Sequence, residues 1–391
     1  MKQKPIYVDY HYENTLNQSL KLWISLPKGD YLSSLKPNHL HKLPTGDNLG
    51  YFVLPNHTAL NLRYHQEWYT PEHRTTPLTK EEEAYYLRDT TLSPINDEIV
   101  ELAKTITNGI EKKNDQAKAI FQYIVTNFKY IYPPKSRGVK SFLRLRKGDC
   151  GEFSFLFSSL CRSLGIPTRT LFGCWSIGKM SGHAWNEIYL EDEGWIAVDV
   201  SMANIQKYQV FKLFTSDIRT LRWKNYFGKT EGQRVVFSKD AEFELLPAFV
   251  ESEEISTEIE PLSINDEPFY WGQESLNGKA PYLQPAYVKF SPGKFPPHTS
   301  IGAEHLLGSW RAKEKGWRGI VAHSKKYFVG IGLFAMGLDV IFHNDFLDLV
   351  FKCSFVGLFL CFILRRERLV LFSIALLFMA LSLAASFSEL L

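Results

Sequence analysis

Three residues of this sequence, Cys150, His183 and Asp199, are of the types that acyl transfer requires. A thiolate can act as a nucleophile, an imidazole can take up and return its proton, and a carboxylate can orient the imidazole. The three residues lie in separate segments of the chain. Such a site therefore depends on elements that bring their side chains together.

Cys150 lies where a loop becomes a helix, in the stretch RKGDCGEFSFLF at 146–157. After it, apolar residues recur at intervals of three and four as far as Leu164, and Gly165 and Pro167 then end the pattern. The unpaired N–H groups and positive dipole end at a helix N-terminus stabilise a thiolate. The position therefore predicts a reactive thiol with a depressed pKa.

His183 and Asp199 lie in two alternating segments, from His183 to Leu190 and from Gly194 to Val200, that flank an acidic turn. This pattern is typical of a β-hairpin. With an odd-numbered loop, positions 183 and 199 share one face and lie opposite or diagonal to each other. The other face would carry an apolar set that suits a core: Ile188, Leu190, Ile196, Val198 and Val200. The hairpin thus predicts that His183 and Asp199 meet.

The cysteine count argues against disulfide and zinc frameworks. There are five cysteines and no CxxC pair: Cys150, Cys161, Cys174, Cys353 and Cys361. A cysteine is often a small buried hydrophobe, which is our interpretation of Cys161 and Cys174. A structural zinc site needs four ligands, whereas three groups converge here, so we expect no metal and no other cofactor.

Size and charge limit the remaining classes. A chain of 391 residues with 45% hydrophobic and 22% charged residues can bury a large core and holds more than one domain. Its net charge of +3 is too small to indicate a nucleic-acid partner. No run of Lys and Arg alternates with aromatic residues as in a single-strand binding groove.

The C-terminal region contains three apolar stretches, 327–342, 346–364 and 369–387, that are candidate membrane-spanning helices. The last has no charged residue and approaches the roughly 20 residues that a span requires. Basic residues cluster at 311–326 and 365–368, and the N-terminus lacks a secretory signal. The positive-inside rule therefore predicts a multi-pass protein, held in the lipid bilayer by these helices, with a cytoplasmic N-terminal region.

Sequence texture divides the chain into four regions and predicts an α+β fold. Short alternating runs in residues 1–95 predict a β-sandwich-like domain. Residues 96–250 would form a catalytic domain that includes a helix at 114–131 with Asn114 as its N-cap. Residues 251–324 would be an extension and linker, and 325–391 a transmembrane region of about three helices.

Four motifs give the chain a resemblance to the transglutaminase-like superfamily, whose members share a papain-like arrangement of cysteine, histidine and aspartate. The motifs are Gly-x-Cys at a helix start, a Gly-Ile-Pro-x-Arg turn, His-Ala-Trp, and Gly-Trp followed by Asp. Here they read Gly148-Asp149-Cys150, Gly165-Ile166-Pro167-Thr168-Arg169, His183-Ala184-Trp185 and Gly194-Trp195 through Asp199. The resemblance covers residues 96–250.

The resemblance implies a papain-like/transglutaminase-like core in which Cys150 is the nucleophile, His183 the general base and acid, and Asp199 the orienting carboxylate. Val200 and Ser201 follow the aspartate, where many members have proline, so the turn there can differ from theirs. The calcium-binding loops of animal transglutaminases have no match, which again implies no metal.

These residues predict a cysteine acyltransferase, protease or amidase acting on protein or peptide amides. The Cys150 thiolate would attack the carbonyl, His183 would protonate the departing amine, and water or a second amine would resolve the thioester. The Cys150 backbone N–H would hold part of the oxyanion. The second donor stays open between the approach NFKYIYP at 127–133 and Trp185.

Several alternatives remain open. Hydrolysis and cross-linking use the same three residues. A non-catalytic, membrane-anchored module that binds peptides or proteins on this fold would predict the loss of at least one of them, and all three are present. A transporter or channel is a weaker hypothesis, because Asp339 and Lys352 are few charges for a polar pathway.

Overall fold

The computed structural model describes residues 6–72, 76–179, 182–209, 214, 216–251, 261–290, 306–313 and 317–390. The chain forms two compact units. One consists of Met1–Asn204 with Tyr226–Lys313, and the other of Ile205–Asn225 with Glu314–Leu391.

Strands and helices are mixed along the chain, which confirms the predicted α+β class. The strands are β1 Ile6–Glu13, β2 Leu20–Leu26, β3 Tyr31–Ser33, β4 His39–Lys42, β5 Asn48–Leu54, β6 Ala59–Gln66, β7 Lys129–Tyr130, β8 Lys147–Gly148, β9 Thr168–Trp175, β10 Ile177–Lys179, β11 Gly182–Leu190, β12 Gly194–Val198, β13 Arg234–Lys239, β14 Phe243–Glu244, β15 Leu262–Ile264, β16 Glu267–Phe269, β17 Lys279–Ala280, β18 Ala286–Lys289 and β19 Ser309–Lys313. The helices are α1 Lys80–Tyr86, α2 Asp97–Ile106, α3 Lys113–Asn127, α4 Val139–Leu145, α5 Cys150–Ser163, α6 Val200–Tyr208, α7 Trp317–Phe342, α8 Asp345–Leu364 and α9 Leu369–Leu390, with a 3₁₀ turn at Trp223–Tyr226.

Two antiparallel sheets contain the N-terminal strands. The five-stranded sheet has the order β10-β19-β1-β6-β3, and the four-stranded sheet has the order β18-β2-β5-β4. Burial alternates along β1 and β6, as expected of strands with one solvent-facing side. Buried side chains from both sheets, among them Val8, Leu22 and Phe52, join in one apolar core.

Two strands of these sheets come from the predicted extension and linker. β19 pairs with β1, and β18 pairs with β2. Strands of 5 and 4 residues leave little periodic signal, which is why the sequence did not indicate them. Part of the acidic stretch, 252–260, and part of the proline-rich stretch, 291–305, lie outside the described residues.

A second four-stranded antiparallel sheet, β12-β11-β9-β13, positions the candidate site. Helix α5 packs on β9 and β11, and most of its residues are buried. At Gly173 of β9, a Cβ would overlap the carbonyl oxygen of Val235 on β13. Glycine is therefore required for this close approach, which sets Arg234 opposite Trp175 at the end of β9.

The bounds of helix α5 agree with the prediction, whereas the C-terminal end and the N-cap of helix α3 do not. Helix α5 begins at Cys150 and ends before Gly165, whose φ of 69° suits glycine, as predicted. Helix α3 was predicted too long: it ends at Asn127 because Phe128 is extended, with a ψ of 157°. Its N-cap is Lys112, and Asn114 instead donates to Glu193.

The C-terminal helices α7, α8 and α9 lie in the second unit. Among the described residues, Asp345–Leu364 and Leu369–Ser388 are long and apolar enough to cross a membrane. Just 6% of the most apolar stretch of the second segment is buried within the protein, unlike a core helix. The third predicted segment, 327–342, forms part of α7 and is not one of these two.

Candidate active site

Helix α5 presents Cys150 at its first position because Asp149 caps the helix. The Asp149 side chain accepts a hydrogen bond from the Gly151 N–H at 2.8 Å. In return, the Glu152 side chain accepts from the Asp149 N–H at 3.1 Å. This capping box satisfies backbone donors that would otherwise lack partners, and it fixes where the helix begins.

The Cys150 thiol lies against β11. It interacts with the backbone N–H of Ala184, the residue after His183. The hydroxyls of Tyr130 and Tyr282 are near enough to interact with it electrostatically. Packing of α5 on β11 thus brings the thiol to the residue that follows His183. Cys161 and Cys174 are buried, consistent with their assignment as small hydrophobes.

The prediction of a depressed thiol pKa is wrong for this site as it stands. Burial and the Asp149 carboxylate raise the pKa of Cys150 well above its usual range, although the β11 backbone and the Arg137 guanidinium lower it. Glu152, in the same helix turn, raises it further. Burial and the two carboxylates therefore outweigh the groups that stabilise a thiolate at this position. A thiolate here needs a further cation, such as the imidazolium of a histidine.

The predicted hairpin is confirmed: β11 and β12 are antiparallel, and Leu190 pairs with Gly194. This register places His183 and Asp199 diagonally on one face. His183 Nε2 and Asp199 Oδ2 are 2.7 Å apart. The two residues are 4% and 0% exposed, so the pair is shielded from water.

Asp199 does not belong to the strand but precedes a helix. β12 ends at Val198, and Val200, predicted to continue the strand, is the first residue of α6. Asp199 Oδ1 accepts hydrogen bonds from the Met202 N–H and the Ser201 hydroxyl, each at 2.9 Å. The carboxylate therefore has the position and bonding of an N-cap.

The other oxygen of Asp199 has two partners. Oδ2 accepts from His183 Nε2 and from Arg234 Nη2, both at 2.7 Å. Burial would raise the pKa of Asp199, but His183 and Arg234 hold it well below its usual range. Asp199 is therefore ionised, and its contact with Nε2 leaves Nδ1 as the other nitrogen of His183 that can take or donate a proton.

Two indole rings flank the histidine. Trp175 stacks on His183 with a centroid distance of 4.6 Å, and Trp185 lies parallel to it at 5.8 Å. The rings restrict the orientation of the imidazole. Sequence reasoning assigned no role to Trp175 or Arg234, because both reach the site through the pairing of β9 with β13, which leaves no motif.

A comparison with family models identifies the region that contains this geometry. Residues 100–200 match the Transglutaminase-like superfamily. This segment therefore resembles transglutaminase-like domains. Cys150, His183 and Asp199 lie inside the matched segment, and Arg234 lies outside it.

One curated protein that the chain is similar to is the peptide-N(4)-(N-acetyl-beta-glucosaminyl)asparagine amidase of Yarrowia lipolytica. It is 31% identical over 67 residues, which are 17% of this chain and 17% of the amidase. The chain thus matches a small part of that enzyme's length. Members of the superfamily are typically cysteine enzymes, including proteases, amidases and transglutaminases.

Two solved structures align with about half of the chain. A candidate cysteine protease from Cytophaga hutchinsonii is 19% identical, with a TM-score of 0.40, over 50% of this chain and 75% of that one. The periplasmic domain of TgpA from Pseudomonas aeruginosa, bound to ethylmercury, is 14% identical, with a TM-score of 0.34, over 54% of this chain and 93% of that one. Within the described residues, no three His, Cys, Asp or Glu side chains are placed to hold a metal ion.

Proposed function

We propose that the chain is a membrane-anchored cysteine enzyme that transfers or hydrolyses the acyl groups of peptide or protein amides. The observation that carries this proposal is the buried pair of His183 Nε2 and Asp199 Oδ2 at 2.7 Å. His183 lies on β11, the strand against which the helix headed by Cys150 packs. The catalytic roles are Cys150 as nucleophile, His183 as general base and acid, and Asp199 as the orienting carboxylate.

The reaction begins when His183 Nδ1 takes the thiol proton of Cys150. The thiolate attacks the amide carbonyl, and His183 returns the proton to the departing amine. Water then hydrolyses the thioester, or a second amine takes the acyl group. Since burial raises the thiol pKa, the proton transfer and the resulting imidazolium are required before attack.

The developing oxyanion needs two donors. The backbone N–H of Cys150, at the start of α5, is the first. We assign the second to the Tyr130 hydroxyl, which lies near the thiol and whose pKa is raised by burial and by Cys150. A hydroxyl that stays protonated can donate to the oxyanion throughout the reaction, and Tyr130 belongs to one of the two approaches that the sequence indicated.

A second candidate is a non-catalytic module that binds a peptide or protein on this fold. One observation favours it: burial and Asp149 raise the pKa of Cys150, which disfavours the reactive thiolate. On this hypothesis the groove around Cys150 would recognise its partner without covalent chemistry.

Catalytic activity separates the two candidates. The full chain in detergent is screened for amine incorporation into, and hydrolysis of, a library of glutamine- and amide-bearing peptides. We expect activity in the wild type and none in Cys150→Ala, while Cys353→Ala, at an exposed cysteine of α8, retains it. Peptide binding without turnover, unaffected by Cys150→Ala, would support the binding module instead.

The membrane assignment is part of the same proposal. Two apolar C-terminal helices support an anchor. The basic residues at 311–326 and 365–368 support a multi-pass arrangement with the catalytic region, 96–250, and the β-sandwich-like region, 1–95, on the cytoplasmic side. Residues 314–316 of the first basic cluster lie outside the described residues.

A further inference from the structure

Arg234 is a buried cation with carboxylates on two sides. Its Nη2 donates to Asp199 Oδ2 at 2.7 Å, and its Nε donates to Glu231 Oε1, also at 2.7 Å. Nη2 lies 3.0 Å from Glu231 Oε2 as well. The side chains of all three residues are 0% exposed. A charge buried to this degree is costly unless it is paired, so the Arg234 position is tightly determined.

The same two rings that flank His183 also hold Arg234. The guanidinium carbon lies 4.6 Å from the Trp175 ring centroid and 4.9 Å from that of Trp185. Such contacts favour a cation over the face of an aromatic ring. Imidazole, carboxylate and guanidinium are therefore fixed relative to one another by packing as well as by hydrogen bonds.

We propose that Arg234 is a positioning residue that acts on the reaction through Asp199. Its guanidinium holds the carboxylate in the orientation that His183 needs, and its charge limits how strongly that carboxylate stabilises the imidazolium. The proposal rests on the function assigned to His183 above. A nearby cation makes the imidazolium release its proton to the departing amine more readily. The planar guanidinium of Arg234 can hydrogen-bond to two carboxylates at once.

Charged and titratable groups face the thiol and imidazole from several elements. They are Asp199 before α6, Arg234 on β13 with Glu231 behind it, Tyr130 on β7, Arg137 before α4, Asp149 and Glu152 at the start of α5, and Tyr282 before β18. Glu231 and Arg234 can be neutralised together without a change in the net charge of the protein. The other charged and titratable residues around the site are not substituted in this variant.

The experiment measures the pH at which the imidazolium next to Cys150 loses its proton. Cys150 of the full chain in detergent is alkylated with iodoacetate, an anion, and with iodoacetamide, which is neutral, over a range of pH. Mass spectrometry of the Cys150 peptide gives both rates. The ratio of the two rates falls when the neighbouring imidazolium loses its proton, because the attraction for the anion is lost. The midpoint of this fall is the readout.

Three variants at this pair have distinct expectations. Glu231→Gln with Arg234→Gln leaves Asp199 to His183 alone, so the midpoint rises by about one pH unit. Glu231→Gln by itself leaves the Arg234 charge less compensated, so the midpoint falls. Arg234→Lys keeps the positive charge, so the midpoint stays at the wild-type value. Lysine lacks the planar guanidinium that binds two carboxylates, so kcat falls by more than KM rises.

A second buried pair in the same sheet provides the control. Arg169 on β9 and Glu187 on β11 are joined at 2.7 Å with side chains 3% and 1% exposed. Neutralising both to Gln lowers stability but leaves the midpoint unchanged, since neither contacts Asp199 in the described hydrogen bonds.

The outcomes separate this proposal from the proposed function. A folded double Gln variant with the wild-type midpoint overturns the role of Arg234 while the function stands. If that variant does not fold, an unchanged midpoint in Glu231→Gln alone has the same meaning. A wild type whose rate ratio never falls with pH shows no imidazolium beside Cys150, and it overturns both proposals.

Discussion

The charged side chains of the site alternate in sign on both sides of the thiol and imidazole. In order they are Glu231, Arg234, Asp199, His183, Cys150, Asp149 and Arg137. A thiolate at Cys150 lies next to the carboxylate of Asp149 and is unfavourable unless His183 is protonated. The site therefore favours transfer of a proton within the pair over release of the thiol proton to water.

Asp199→Asn tests the orienting carboxylate. We expect the fold to survive, because the carboxamide is nearly the same size and can still accept from the Met202 N–H. Turnover should fall, by less than the roughly 10⁴-fold that the same change costs a serine protease, since a thiolate is intrinsically the better nucleophile. The measurement is kcat and KM on a substrate from the peptide screen, with circular dichroism as the check of folding.

A control variant separates the catalytic effect of Asp199→Asn from the loss of stability that removing any buried carboxylate can cause. Asp240 is ionised and paired with Arg162 at 2.9 Å, away from the thiol. Asp240→Asn should destabilise the protein without a selective loss of kcat. Equal kcat in Asp199→Asn and the wild type would show that Asp199 is not the orienting residue.

Asp149→Asn should lower the pKa of the Cys150 thiol. The Asp149 carboxylate raises that pKa, so its removal favours the thiolate, and alkylation by iodoacetamide should rise at a lower pH than in the wild type. Asparagine still caps a helix, so α5 should keep its start. The control is Asp266→Asn, which removes a carboxylate paired with Arg144 outside the site. An alkylation profile that does not move would show that the Asp149 carboxylate does not raise the thiol pKa.

At the scale of secondary-structure elements, the sequence predicted those elements that have a local pattern of apolar residues. The apolar repeat after Cys150 and the alternation around the turn predicted α5 and the hairpin, and with them the meeting of His183 and Asp199. Arg234 could not be predicted this way. It reaches Asp199 because β13 pairs with β9, with a register shift between Val236 and Ser238, and no local period encodes that pairing.

The pairing of β9 with β13 gives a prediction at this scale. In Gly173→Ala the new Cβ would overlap the Val235 carbonyl oxygen, so β13 must move away from β9. We expect a loss of about 1–3 kcal/mol in the free energy of unfolding and weaker activity, because the shift displaces Arg234. Denaturant unfolding and kcat measure the two effects.

Gly29→Ala is the matched control, since a Cβ there has no atom within 4 Å. It should leave both stability and activity near the wild-type values. If Gly173→Ala behaves like Gly29→Ala, then β13 is not held against β9 as closely as the structure has it.

At the scale of the whole molecule, the C-terminal helices bear on where the reaction occurs. α7 and α8 pack against each other and are joined by the short turn at His343 and Asn344. At the opposite end of the two helices, Lys325 of α7 lies 3.3 Å from Glu367, in the loop between α8 and α9. Lys325 and the basic residues at 365–368 are therefore at the same end of these helices.

This arrangement predicts three membrane crossings even though α7 is the least apolar of the three helices. If α8 crosses the bilayer, the antiparallel α7 packed along it is carried to the same depth, so the N-terminal region and the C-terminus end on opposite sides. By the positive-inside rule, the charges at 365–368 predict that the N-terminal region lies in the cytoplasm. We test this with one epitope before Met1 and another after Leu391, and with protease added to sealed inverted vesicles, whose cytoplasmic face is outside. We expect loss of the first epitope and protection of the second.

Loss of both epitopes would mean two crossings, with α7 outside the bilayer. Protection of the first epitope and loss of the second would place the catalytic region on the far side of the membrane. Either result would contradict the prediction, and detergent-opened vesicles, in which both epitopes must be lost, show that each is cleavable.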